Sequence, residues 1–172
     1  MDNLTKLAIK YGTDKWGKHH YTPVYHDLFK DKRESVKKVL EIGVGEGAGL
    51  RMWRDFFPNA MIYGAEIEPT RVFKEDRIEV IRCDQTSPDD LRDLLDVTGE
   101  DIDLVVDDGS HKPVDQVFTF SLIAPFLKTK FIYVIEDVAD EGIEPAFYDY
   151  DSYTEICGKR YDDKLIVIKP NG

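Results

Sequence analysis

Cysteine is scarce. Cys83 and Cys157 are the two thiols in 172 residues; they form no CxxC pair and offer no disulfide framework. Both read as small buried hydrophobes. Long apolar runs are missing too, and none approaches the roughly 20 residues of a membrane-spanning helix. The opening Met1–Lys6 lacks the basic-then-apolar pattern of a secretory leader, so the expectation is a cytoplasmic protein with no membrane partner. A basic excess is also absent. Against 34 Asp and Glu stand 23 Lys and Arg, a net charge of -11, which argues against the basic stripe a nucleic-acid binder needs. No internal repeat or low-complexity linker divides the chain, so one domain over residues 1–172 is expected, with 1–35 covering a site built on a sheet core of 36–172.

What is present is acid in two blocks. Residues 84–108 carry ten acids and one arginine, and residues 136–163 carry ten acids and two basic side chains. Most of these acids read as solvated surface. Acids at the ends of strands are the exception, and the strand pattern puts several there. Val39–Ile42, Ala60–Ala65, Ile78–Ile81, Ile102–Val106 and Phe131–Ile135 are short apolar runs. Each stops at a glycine or an acid, and helical stretches at Ala48–Phe57, Pro88–Val97 and Val114–Leu127 lie between them. Strand alternating with helix predicts an α/β fold with a doubly wound, mostly parallel sheet. Tyr153–Cys157 and Lys164–Ile168 leave no room for a helix between them and predict an antiparallel C-terminal edge hairpin. The first 30 residues predict one helix. In such sheets ligands bind at the carboxyl ends of the strands.

The first strand runs into Glu41-Ile42-Gly43-Val44-Gly45-Glu46-Gly47-Ala48-Gly49, a glycine turn that opens a helix and lets backbone N–H groups approach a ligand. Glu66, at the end of the second strand, is the acid expected to accept from a ribose. These residues fit a dinucleotide as well, although Glu46 disfavours a pyrophosphate. The fourth strand ends in Asp107-Asp108-Gly109-Ser110-His111 and the fifth in Glu136-Asp137. If the two strands are neighbours, Asp108, Glu136 and Asp137 meet at one edge as hard oxygen donors suited to Mg²⁺, with Mn²⁺ or Ca²⁺ as alternatives. His111 is then placed to take a proton from a hydroxyl beside them. Ser110 reads as the N-cap of the next helix, and the pair His19-His20 reads as no metal site.

The glycine turn with its leading acid resembles motif I of the class I S-adenosylmethionine-dependent methyltransferases, which share the Rossmann-like sheet and its antiparallel edge. A longer ordered set is more specific. Tyr11-Gly12-Thr13-Asp14-Lys15, His20-Tyr21-Thr22-Pro23-Val24-Tyr25, Met52-Trp53-Arg54-Asp55-Phe56-Phe57-Pro58-Asn59-Ala60, Asp84-Gln85, Asp107–His111 and Val134–Asp137 together resemble the Mg²⁺-dependent sugar O-methyltransferases of macrolide biosynthesis, the mycinamicin and macrocin type. That resemblance implies S-adenosylmethionine bound by Glu41, Gly43, Gly45, Glu66, Asp84, Gln85 and Asp107. It implies Mg²⁺ held by Asp108, Glu136 and Asp137, and His111 as general base on a hydroxyl of a sugar or glycoside. The Tyr11–Lys15 segment is expected to fold over the same pocket. The chain departs from the pattern at Lys128-Thr129-Lys130, at Asp115-Gln116, and at Val138–Gly142, where the family carries an aromatic-rich substrate segment. A catechol or other vicinal diol as acceptor, an NAD-linked oxidoreductase and a non-catalytic cofactor binder are the competing readings, and subunit count is open, a homo-oligomer included.

Overall fold

The computed structural model describes residues 1–128, 130–139 and 141–172; Thr129 and Asp140, two of the positions at which the chain departs from the family pattern, lie outside them. Two helices come first, α1 (Asn3–Tyr11) and α2 (Thr22–Phe29), followed by β1 (Lys38–Ile42), α3 (Ala48–Phe56), β2 (Met61–Glu66), β3 (Lys74–Glu75), β4 (Ile78–Arg82), α4 (Pro88–Thr98), β5 (Leu104–Asp107), α5 (Pro113–Ile123), β6 (Ile132–Ile135), β7 (Asp151–Ile156) and β8 (Lys164–Lys169). The eight strands form one sheet in the order β3-β4-β2-β1-β5-β6-β8-β7. Pairing is parallel from β4 through β2, β1 and β5 to β6, and antiparallel where β8 joins β6, β7 joins β8 and β3 joins β4. The predicted α/β class, the predicted fourth and fifth strands (here β5 and β6) as neighbours, and the edge hairpin are all present.

Alternation along the strands explains the layering. Val39, Ile62 and Leu104 point to a core shared with Leu4, Tyr25, Trp53 and Phe56 from α1, α2 and α3. Their neighbours Leu40 and Val105 point the other way, toward Leu91 and Leu94 of α4 and Phe120 and Ile123 of α5. With both faces covered, the central strands read as unbroken apolar runs.

Three local expectations are corrected. The N-terminal stretch holds two helices: Asp2 caps α1 by accepting from Thr5 N–H, and Pro23 sits in the first turn of α2. Helix α5 stops at Ile123, because Pro125 cannot continue it and a short 3₁₀ turn, Ala124–Phe126, follows. Ser110 does not cap α5. The helix starts at Pro113 after Lys112, and the Ser110 hydroxyl donates to Asp115 while accepting from Lys112 N–H. No helix among the described residues is long and apolar enough to cross a membrane.

Register is what assembles the site. Ile42 pairs with Ala65 on one side and Asp107 on the other, and Asp107 pairs with Ile135. The residues that follow, Gly43, Glu66, Asp108 and Glu136, are therefore brought to one edge of the sheet.

Candidate active site

A cavity of about 770 Å³ opens at that edge, a size typical of small-molecule and cofactor sites. Its walls are the glycine turn at Gly43 and Gly45, then Glu66, Asp84 with Gln85, the Asp108–Lys112 loop, and Gly12–Lys15 from the N-terminal segment; Glu41 borders it too. Asp107, Glu136 and Asp137 do not line it. They lie buried just behind.

Gly43 has φ +84°, and a Cβ there would overlap the backbone carbonyl of Asp108. The turn after β1 and the loop after β5 are thus in backbone contact, which a larger residue forbids. Glu66 organises the same turn: one carboxylate oxygen accepts from Val44 N–H at 3.1 Å and Gly45 N–H at 3.0 Å, the other from Glu68 N–H. Gln85 ties two loops together, accepting from Ser110 N–H at 2.7 Å and donating to Asp107 and Thr119. Asp107 itself is fully buried against Gln85, Gly109 and Tyr133. Burial pushes its carboxyl up to about 7, although Gly109 N–H and Gln85 pull the other way. Asp84 holds its own turn by accepting from Thr86 N–H and hydroxyl.

Along one wall of the cavity lies a carboxylate cluster with a lysine in it. Lys15, 1% exposed, places its ammonium 2.7 Å from Asp108 Oδ2, 2.7 Å from Glu136 Oε2 and 3.4 Å from Glu41 Oε1. Burial alone would lower the lysine, but Asp108, Glu136 and Glu41 carry it well above its ordinary value. In return, burial pushes Asp108 up while Lys15 and His111 pull it down further, to about 2. Glu41 is raised by burial and also accepts from the Trp53 indole. Glu136 is fully engaged, with Lys15 on Oε2 and the Tyr25 hydroxyl on Oε1 at 2.6 Å.

His111 sits at the cavity side of this cluster, between Asp108 Oδ1 at 3.2 Å from Nε2 and Asp137 Oδ2 at 3.3 Å from Nδ1. The Asp108 carboxylate beside it raises the imidazole above its ordinary value, against the effect of burial. Among the described residues, Asp108, His111 and Asp137 form a set of ligand-capable atoms within 4.8 Å of one another. Both His111 (φ +58°) and Asp137 (φ +52°) hold the left-handed conformation that non-glycine residues rarely adopt, a strain that clusters at functional sites. Asp137 is held by the Tyr21 hydroxyl, 2.7 Å from Oδ1. Next to it, buried His19 has Nδ1 2.7 Å from Asp163 in the β7–β8 turn, whereas His20 is exposed and packs edge-on against Trp16.

No family model matches the sequence. Curated relatives do. The chain is 39% identical over 166 residues to the 8-demethyl-8-α-L-rhamnosyl tetracenomycin-C 2'-O-methyltransferase of Streptomyces olivaceus, covering 91% of this chain and 43% of the relative. It is 38% identical over 144 residues to the demethylmacrocin O-methyltransferase of Streptomyces fradiae, covering 79% of this chain and 36% of the relative. Its fold superposes on MycE methyltransferase of the mycinamycin pathway, solved with Mg and SAH, at a TM-score of 0.82 and 26% identity, over 98% of this chain and 54% of that one. The chain belongs to the class I methyltransferases. It spans less than half the length of these curated relatives.

Within this methyltransferase chain the structure brings Glu41, Gly43, Gly45, Glu66, Asp84, Gln85, Asp108 and His111 to one cavity and leaves Asp107 off it, unlike the sequence reading. That reading misses Lys15, Tyr21, Tyr25 and His19 as partners of the carboxylates. One signal pointed to the lysine. Three acids ending adjacent strands, Glu41, Asp108 and Glu136, require positive charge among them, and Lys15 lies in a segment expected to cover the pocket.

Proposed function

We propose that the chain forms the catalytic part of an S-adenosylmethionine-dependent, metal-assisted O-methyltransferase that acts on a hydroxyl of a small-molecule sugar or glycoside. The observation that carries this reading is His111, held between the carboxylates of Asp108 and Asp137 at the edge of the glycine-turn cavity. The names of three relatives, O-methyltransferases of rhamnosyl tetracenomycins and of L-olivosyl-oleandolide, support the acceptor class.

Both absent groups fit the residues present. The cavity has the volume for S-adenosylmethionine, and Glu66 stands beside Val44 and Gly45 where ribose hydroxyls need an acceptor. Asp108 and Asp137 would supply the hard oxygen donors that Mg²⁺ or Mn²⁺ prefers, and Glu136 would be a third donor if freed from Lys15. When bound, S-adenosylmethionine supplies the methyl group and the divalent cation supplies charge that lowers the pKa of an acceptor hydroxyl. The chain does the rest. Glu66 and the glycine turn fix the donor end, one of the Asp108 and Asp137 carboxylates orients His111 through one ring nitrogen, and the neutral imidazole, released from the other carboxylate, accepts the hydroxyl proton at its second nitrogen. Gly12–Lys15 form part of the cavity wall, and much of the rate comes from positioning.

The test is methyl transfer to a rhamnosyl acceptor, measured with and without EDTA and in His111→Ala. Chelation is expected to abolish turnover, and the substitution to lower kcat by roughly 10²–10⁴. Turnover that survives both changes removes the metal and base assignments; turnover on a catechol in preference to the glycoside removes the acceptor class.

A further inference from the structure

Lys15 occupies a place that a divalent cation would also claim. Its ammonium lies 2.7 Å from one oxygen of Asp108 and one of Glu136, with Glu41 as a third carboxylate. Tyr25 takes the remaining oxygen of Glu136, so that glutamate has nothing free while the lysine stays. Two cations cannot share those oxygens at that depth, because their repulsion in a poorly screened interior is large. The lysine also sits on a piece of chain built as a unit. His19 N–H donates to Asp14 C=O, Tyr21 N–H to Lys15 C=O, and Trp16 bridges His20. Gly12, at φ +70° with open space around it, is the joint between this loop and α1.

We propose that Lys15 competes with the divalent cation for Asp108 and Glu136, so that cation binding drives the lysine out and loosens the Gly12–His20 loop. The inference rests on the proposed cation site at Asp108 and Asp137. It adds a link between metal loading and the cofactor cavity, since Gly12–Lys15 are part of that cavity's wall. In the metal-free chain the lysine neutralises the cluster and keeps the loop down. In the loaded chain the metal neutralises it.

The experiment titrates Mn²⁺ alone into the 172-residue chain and into Lys15→Met by calorimetry, with amide hydrogen exchange followed at residues 12–20. Removing the ammonium leaves its carboxylates uncompensated, so Lys15→Met is expected to bind Mn²⁺ at least tenfold tighter, with faster exchange at 12–20 before the metal is added. Equal or weaker affinity in the variant overturns the competition and leaves the cation site standing. Binding by the variant but not by the wild type supports the competition while removing the resident metal from the proposed function. Binding by neither overturns both. If Lys15→Met does not fold, the wild type decides: faster exchange at 12–20 on Mn²⁺ saturation supports displacement, and unchanged exchange, or no Mn²⁺ bound, overturns it.

Discussion

Tyr21 and Asp137, 116 positions apart in the chain, meet hydroxyl to carboxylate at 2.7 Å in a fully buried contact. The same hydroxyl reaches the Asp162 carbonyl at 3.0 Å. The N-terminal segment, the end of β6 and the β7–β8 turn are thereby fastened at one atom, and the orientation of Asp137 depends on it.

Tyr21→Phe removes that fastening without changing the ring. The expected result is a loss of about 1–2 kcal/mol in stability and Mn²⁺ affinity weaker by roughly tenfold, the usual size for loss of an outer partner of a ligand. Thermal denaturation and calorimetric titration read the two effects separately. An unchanged Mn²⁺ affinity would show that Tyr21 does not orient Asp137.

Asp107 gives the stability a pH dependence. Its folded-state carboxyl stands at about 7 because it is buried, against about 3.9 in the unfolded chain. Between those values the unfolded state releases a proton that the folded state keeps, so this group's contribution falls as pH rises from 4 to 7 and is level above. The total is on the order of 4 kcal/mol at most. Asp107→Asn keeps an oxygen toward Gln85 and Gly109 and cannot ionise. Its melting temperature should therefore gain on the wild type between pH 5 and pH 8, and parallel curves would count against the assignment.

Gly43 and Gly45 both have positive φ, yet they should respond differently to alanine. At Gly45 the space is open, so the expected loss is the backbone term alone, about 1–2 kcal/mol. At Gly43 the methyl group meets the Asp108 carbonyl, and the loss should be larger, with S-adenosylhomocysteine binding abolished. Paired denaturation curves and a ligand titration compare them; equal losses would contradict the close approach.

Glu66→Gln tests the donor end. The amide keeps one acceptor oxygen where the carboxylate offers two, so it can hold the Val44–Gly45 pair or Glu68 N–H but not both. S-adenosylhomocysteine affinity is expected to fall roughly tenfold, in line with about 1.5 kcal/mol for hydrogen bonds to a charged group. Calorimetry measures it, and wild-type affinity in the variant would remove Glu66 from the cofactor site.

The sheet was legible because its central strands are buried on both faces, so Val39–Ile42 and Phe131–Ile135 stand out as apolar runs and the residues after them fall at one edge. Asp108 was legible for the same reason, since it follows a strand directly; His111 lies on the same short loop, and Asp84 and Gln85, two and three residues past β4, were legible through the family pattern. The N-terminal third was harder. Lys15 and His19 are polar residues in a polar stretch, and their burial depends on carboxylates more than 90 positions away. Two-residue β3 lacks enough length for any periodicity, and the N-cap reading of Ser110 failed because Pro113, three residues on, sets the helix start. Register decided what sequence could not, putting Asp107 behind the cavity and Asp108 in front of it.

The contact of Gly43 with the Asp108 carbonyl has an evolutionary side. Because two backbones touch, the span from the glycine turn to the loop bearing His111 is fixed by main chain and is insensitive to side-chain drift. Under the proposed function, acceptor preference can then change through residues elsewhere around the mouth while the reach between the glycine turn and His111 stays constant. With that function, a scaffold of this kind lends itself to diversification: new acceptors can be recruited without re-solving the distance on which transfer would depend.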